Sequence, residues 1–172
     1  MSESQGSPMV VILDSSAIIN GYDPASSISE HLISQSAASE IKDAKSKRIM
    51  ETALIVGKLK VVEPSRKAVE KVKEVASKTG DKGFLSKADI DTIALAVEVK
   101  ERGLNPIIMT DDFTIQNVAA HMDIKCLPIA TGGIREKHRW MKYCPACGAT
   151  YTGQEVEKCR ICGTPLKRKS RA

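Results

Sequence analysis

Two apolar runs in this chain of 172 residues end on aspartate. Val10-Val11-Ile12-Leu13 meets Asp14, and Pro106-Ile107-Ile108-Met109-Thr110 meets Asp111-Asp112. Short aliphatic runs closed by a polar turn read as buried strands of a parallel sheet, and such sheets bind ligands at their carboxyl ends. Two strands that deliver carboxylates to one edge bring like charges together. Clustered carboxylates stay ionised most readily around a divalent cation. The chemistry implied is an acidic Mg²⁺ or Mn²⁺ site built on Asp14 and the Asp111/Asp112 pair, with at least one further acid. Two adjacent acids exceed what capping a helix requires. Glu40 and Asp89 stay open: a surface glutamate near a helix start accounts for one, and capping from Ser86 accounts for the other. Asp91, two positions beyond Asp89, should face elsewhere on that helix.

A second constellation lies near the C-terminus. Cys144-Pro145-Ala146-Cys147-Gly148 and Cys159-Arg160-Ile161-Cys162-Gly163 are two C-x-x-C-G knuckles with eleven residues between them. Each knuckle places two thiolates on one ion, and two of them complete a closed tetrahedral site for one structural zinc ion. The glycines allow the left-handed backbone that turns amide N–H groups toward the sulfurs. Disulfides are disfavoured in a chain with no sign of export. A thioredoxin-like pair would not be duplicated outside a βαβ unit. Cys126, within the mostly apolar run 124–129, reads as an ordinary buried thiol.

The elements that must position these groups alternate. Strands are expected over 9–13, 31–34, 59–62, 106–110 and 124–129. Helices are expected from about Ser36 through Leu54, over 67–78, from Ser86 to Gly103, and over about 112–122; Asp14–Asn20 reads as a turn. Strand–helix alternation of this kind implies an α/β three-layer sandwich with a mostly parallel central sheet. The expected organisation is a disordered tail or cloning remnant over 1–8, one large domain over 9–130, a basic linker over 131–143 and a ribbon with a basic tail over 144–172. Thr131-Gly132-Gly133 marks the hinge. Residues 134–172 hold ten Lys/Arg against three acids, a balance of +7 that leaves −2 for residues 1–133 of the formal +5. An acidic domain joined to a basic tail suits a polyanion partner. No apolar run approaches the roughly 18 residues of a membrane helix, and no signal-peptide layout is present, so a cytoplasmic location without membrane contact is expected.

The segments VVILDSSAIING, SAASEIKD, LSKADIDTIALAVEV and IIMTDDFTIQNVA, spanning about residues 9–129, resemble the successive motifs of PIN-domain ribonucleases. With the Cys₄ zinc ribbon behind a basic linker, the order resembles the Nob family of endonucleases, which mature the 3′ end of small-subunit ribosomal RNA. The compact length is similar to archaeal members. The resemblance implies a PIN-like nuclease fold for the large domain and a catalytic quartet at Asp14, Glu40, Asp89 and Asp112, with Asp111 able to share the last position. Metal ligation would fall to Asp14, Asp89 and Asp112. Ser15 and Thr110 match the hydroxyl residues that orient acids in this fold, while Asp91 has no counterpart.

The implied reaction is hydrolysis of an RNA phosphodiester with one or two Mn²⁺ or Mg²⁺ ions and no histidine base. The implied substrate is precursor small-subunit rRNA within a pre-ribosomal particle, with ribosome-assembly proteins as possible partners. Arg135, Lys137, Arg139, Lys142, Lys167, Arg168 and Lys169 would neutralise phosphates, and Trp140 would either stack on a base or pack internally. Every expected catalytic acid lies before Gly132, so loss of residues 134–172 should weaken RNA affinity and flatten its salt dependence while cleavage survives at high enzyme concentration. Two rivals carry different chemistry. A haloacid-dehalogenase-type phosphatase needs a second Asp two residues after Asp14, where Ser16 stands. A non-catalytic assembly factor would gain nothing from clustered negative charge.

Overall fold

In the computed structural model, residues 8–129, 139–151 and 156–171 are described. The five aliphatic runs form five strands: β1 (Met9–Leu13), β2 (Glu30–Ser34), β3 (Leu59–Val62), β4 (Asn105–Met109) and β5 (Lys125–Leu127). All pair in parallel in the order β3-β2-β1-β4-β5. Alternation along β1 sends Val10 and Ile12 into one apolar cluster and Val11 and Leu13 into the other, so helices must cover both faces. One face carries α4 (Arg66–Thr79), α6 (Phe113–His121) and most of α5 (Lys87–Glu101). The other carries α1 (Ser15–Ile19), α2 (Gln35–Glu40) and α3 (Ala44–Ile55). The three-layer sandwich is the expected one.

The chain moves outward from β1 to β2 to β3, then crosses back to place β4 on the other side of β1. β1 and β4 are therefore the switch point, with Leu13 opposite Met109 at their carboxyl ends. The Asp14 N–H donates to Met109 O at 3.2 Å, so the two acidic loops leave the sheet side by side.

Two expectations change. Asp14–Asn20 is mostly the short helix α1, not a turn. The long helix expected from Ser36 through Leu54 is two helices, because Ile41 is extended and buried, and Asp43 starts α3 afresh by accepting from Ser46 N at 2.8 Å. Burying Ile41 and capping with Asp43 outweigh continuing the helix. Glu40 consequently ends a six-residue helix.

Among the described C-terminal residues, β6 (Arg139–Tyr143) pairs antiparallel with β7 (Thr150–Tyr151) and β8 (Lys167–Arg171), in the order β7-β6-β8. Arg139–Tyr143, assigned to the linker from sequence, is thus a strand of the ribbon's sheet. Residues 1–7, the hinge at 131–133, Arg135 and Lys137 lie outside the described residues.

Candidate active site and cysteine cluster

Asp14 follows β1 as the N-cap residue of α1, yet its side chain makes no capping bond. Its carboxylate, 5% exposed, instead accepts at Oδ2 from Thr110 Oγ1 (2.9 Å) and Ser16 Oγ (2.7 Å). Ser15 Oγ lies 3.4 Å from Asp14 Oδ1 and donates to Glu40 Oε2 at 2.8 Å, tying the end of α2 to the end of β1. Thr110 is buried beyond β4 and has a second task, since its Oγ1 accepts from Asp112 N at 3.0 Å. One hydroxyl therefore sets the spacing between Asp14 and the Asp112 backbone.

Asp112 caps α6 with Oδ1, accepting from Thr114 N at 2.6 Å. Asp89 completes a capping box on α5, its Oδ2 accepting from Ser86 N at 2.6 Å. In both residues the capping role and a metal role are compatible, because Asp112 Oδ2 and Asp89 Oδ1 carry no hydrogen bond among the described residues. Burial raises the Asp89 carboxyl above its ordinary value; bonds from Ser86 oppose this, and the charges of Asp112 and Asp14 add to the rise. Asp89 thus sits in the field of both other acids, each carried on a different segment. Three carboxylates from separate segments are near enough for Asp89 to feel the charges of the other two.

The two remaining acids have bonding partners of their own. Asp111 Oδ1 accepts from Ile129 N at 2.6 Å, anchoring the chain just beyond β5. Asp91, 4% exposed, accepts from Ser36 Oγ and from Lys87 Nζ, both at 2.6 Å, and so bonds α5 to α2. Ser16 was missed from sequence; its signal was a hydroxyl two residues past the acid, at the spacing of a local side-chain bond.

The four cysteines meet as their spacing demands, with all four sulfurs within 4.8 Å of one another. Cys144 Sγ lies 3.4 Å from Cys162 Sγ, and Cys147 Sγ lies 3.5 Å from Cys159 Sγ. These separations are far longer than the ~2.05 Å of a disulfide and close to the edge of a tetrahedron with metal–sulfur distances of about 2.3 Å. The two knuckles repeat one another: Gly148 N donates to Cys144 O and Gly163 N to Cys159 O, both at 2.9 Å, with the glycines at φ 75 and 73. Tyr151 was not foreseen. Its hydroxyl lies 3.2 Å from Cys159 Sγ and, with backbone N–H groups of Cys162 and Ile161, draws that thiol down to about 6. Burial pushes the Cys126 thiol up to about 12, as suits an inert core thiol.

Of the basic residues singled out from sequence, Lys142 Nζ donates to Val156 O at 3.0 Å and Lys167 is exposed. Arg168 turns inward, pairing with Asp81 and stacking on Phe84. Arg139, Trp140 and Lys169 lie on β6 and β8, and their side chains are outside the described residues.

A family model described as "PIN domain of ribonuclease" matches residues 11–99. The chain is 43% identical over 161 residues to "Endoribonuclease Nob1" of Methanocaldococcus jannaschii, covering 93% of this chain and 77% of the relative. It is 38% identical over 163 residues to the protein of the same name from Methanothermobacter thermautotrophicus, covering 94% and 93%. A shorter match, 39% identical over 61 residues, covers 36% of this chain and 13% of "20S-pre-rRNA D-site endonuclease NOB1" of Saccharomyces cerevisiae.

Proposed function

Because this chain belongs to the Nob family of PIN-domain endoribonucleases, we propose that it cuts precursor small-subunit rRNA at the 3′ end of the mature sequence. Asp14, Glu40, Asp89 and Asp112 form the site, with Asp14, Asp89 and Asp112 as ligands for one or two Mn²⁺ or Mg²⁺ ions. The observation that carries this reading is the hydroxyl-braced Asp14 at the β1/β4 switch point, within the field of Asp89 and beside the Asp112 loop. The donor set is all carboxylate oxygen, which suits hard divalent cations. Such a cation supplies Lewis acidity toward the phosphoryl oxygen and lowers the pKa of water.

The chain's own residues do the holding. Thr110 and Ser16 fix Asp14 Oδ2, while Ser15 holds Glu40 against the same strand end. The capping bonds of Asp89 and Asp112 consume one oxygen each and orient the other. Asp111 serves the fold rather than the metal through its bond to Ile129, and Asp91 through its bonds to Ser36 and Lys87.

Cys144, Cys147, Cys159 and Cys162 are assigned to one structural zinc ion, their matched knuckle geometry and sulfur separations supporting that choice. The ion leaves no open position for substrate. Lys142, Lys167, Lys169, Arg135, Lys137 and Arg139 would meet backbone phosphates, and binding would weaken with salt. Among the described residues no helix is long and apolar enough to cross a membrane. The test is Mn²⁺-dependent cleavage of an RNA spanning a small-subunit rRNA 3′ end, with wild type beside Asp14→Asn. Cleavage lost in the variant, with RNA binding kept, supports the assignment. Equal cleavage by both removes Asp14 from the site.

A further inference from the structure

We propose that the ribbon is a fixed part of the nuclease domain and not a tethered module, because Arg168 on β8 supplies the counter-charge for a carboxylate buried in that domain. Asp81 lies in the turn after α4 and is 0% exposed. Its Oδ2 accepts from Thr79 Oγ1 at 2.7 Å and from Asn117 Nδ2 on α6 at 2.8 Å. Both of those donors are neutral. The charged partner is Arg168, whose Nη2 pairs with Asp81 Oδ1. Among the described residues it is the one cation bonded to Asp81.

The guanidinium is held on two sides. Its carbon lies 3.9 Å from the centre of the Phe84 ring, which is 55% exposed. A planar cation between a carboxylate and an aromatic face is a match for arginine and a poor one for lysine. Phe84 is one of only two phenylalanines in the chain. Its exposure is wasteful in an isolated domain and useful as a platform for a strand arriving from elsewhere.

Asp81 also connects to the candidate active site. It grips α6, which starts at Asp112, and it heads the turn leading to Ser86, whose capping box holds Asp89. The two helix starts that present acids therefore share one anchor, and the ribbon neutralises it. If the four cysteines hold zinc, as assigned above, the ion stabilises a domain that contains none of its ligands. The expectation that cleavage survives loss of residues 134–172 changes accordingly: the shortened domain would carry a buried carboxylate held by two neutral donors and without its counter-charge.

Among the described residues the six α-helices all lie before residue 122 and the regular elements of the ribbon are strands, so the 222 nm dichroism follows chiefly the nuclease domain. Thermal unfolding would be followed in wild type, Arg168→Leu, Asp81→Asn and the double variant, with and without a zinc chelator. Arg168→Leu should lower the helical midpoint by on the order of 10 °C, as loss of one partner of a buried ion pair does. Asp81→Asn in the same chain should give most of that back. Chelation should lower the midpoint in wild type and add little in Arg168→Leu. Equal midpoints for wild type and Arg168→Leu, or the same Asp81→Asn effect with and without Arg168, would overturn the proposal. Should Asp81→Asn not fold, Arg168→Lys decides: a midpoint above that of Arg168→Leu supports the charge argument, and equality refutes it.

Discussion

Replacing Thr110 by valine keeps the outline of the side chain and deletes one hydroxyl. That hydroxyl is buried, donates to Asp14 Oδ2 at 2.9 Å and accepts from Asp112 N at 3.0 Å. A hydrogen bond to a charged group contributes about 1.5–3 kcal/mol, and a backbone bond about 1 kcal/mol. Asp14 keeps its bond from Ser16, so the loss lies toward the lower end, about 2–3 kcal/mol in all. The larger effect is on the chemistry. Without Thr110 the Asp14 Oδ2 atom is held by one hydroxyl in place of two, and the Asp112 loop loses its spacer. Removing such a supporting hydrogen bond costs about 10–100-fold in metal affinity or activity. Cleavage of the rRNA 3′-end RNA, titrated with Mn²⁺, should therefore need more metal in Thr110→Val and recover in part at high metal. Thr110→Ser, which keeps the oxygen, should stay near wild type. A Thr110→Val protein with the wild-type metal requirement and unfolding midpoint would refute the brace.

Asp89→Asn should abolish cleavage with a small change in stability, whereas Asp91→Asn should keep cleavage and lower the urea midpoint, because Asp91 bonds Ser36 and Lys87; equal losses of cleavage would refute this division of roles. His31 is fully buried, its Nδ1–H placed to donate to Lys58 O and its Nε2 to accept from Tyr22 OH, and burial lowers its pKa. A lowered histidine pKa means the unfolded chain binds the proton first, so stability is full above the unfolded value of about 6.5 and falls on acidification toward the lower folded value; denaturant midpoints at pH 7.5 and 5.5 should differ in wild type and converge in His31→Asn. Changing Lys167 and Lys169 together to alanine should weaken RNA binding and reduce the slope of log affinity against log salt by roughly 0.7–0.9 for each phosphate left without its lysine; an unchanged slope would take both residues off the RNA.

Local features were legible from residue order. Strand ends at Asp14 and Thr110, the Ser86/Asp89 capping box and the paired knuckles each involve groups a few residues apart, where backbone geometry dictates who meets whom. The alternation of strands and helices likewise implied a parallel sheet, since parallel neighbours need a crossover between them. Glu40 came only with the family resemblance; spacing alone did not separate it from a surface glutamate. Periodicity also carried the helix expected from Ser36 across Ile41–Asp43, where burial of Ile41 and the Asp43 cap divide it.

The rest depended on partners distant in the chain. Of the 111/112 pair, Asp111 accepts from Ile129 N, a partner 18 residues away that spacing does not reveal. Asp91 is buried by Ser36, a partner 55 residues away. Arg168 looked from sequence like one more basic residue of an RNA-binding tail, and it meets Asp81 at a separation of 87 residues. Composition and spacing specify what a side chain can bond. Desolvation and strand order decide what it does bond, and both exist only once the sheet has brought β1 beside β4 and β8 against the turn after α4.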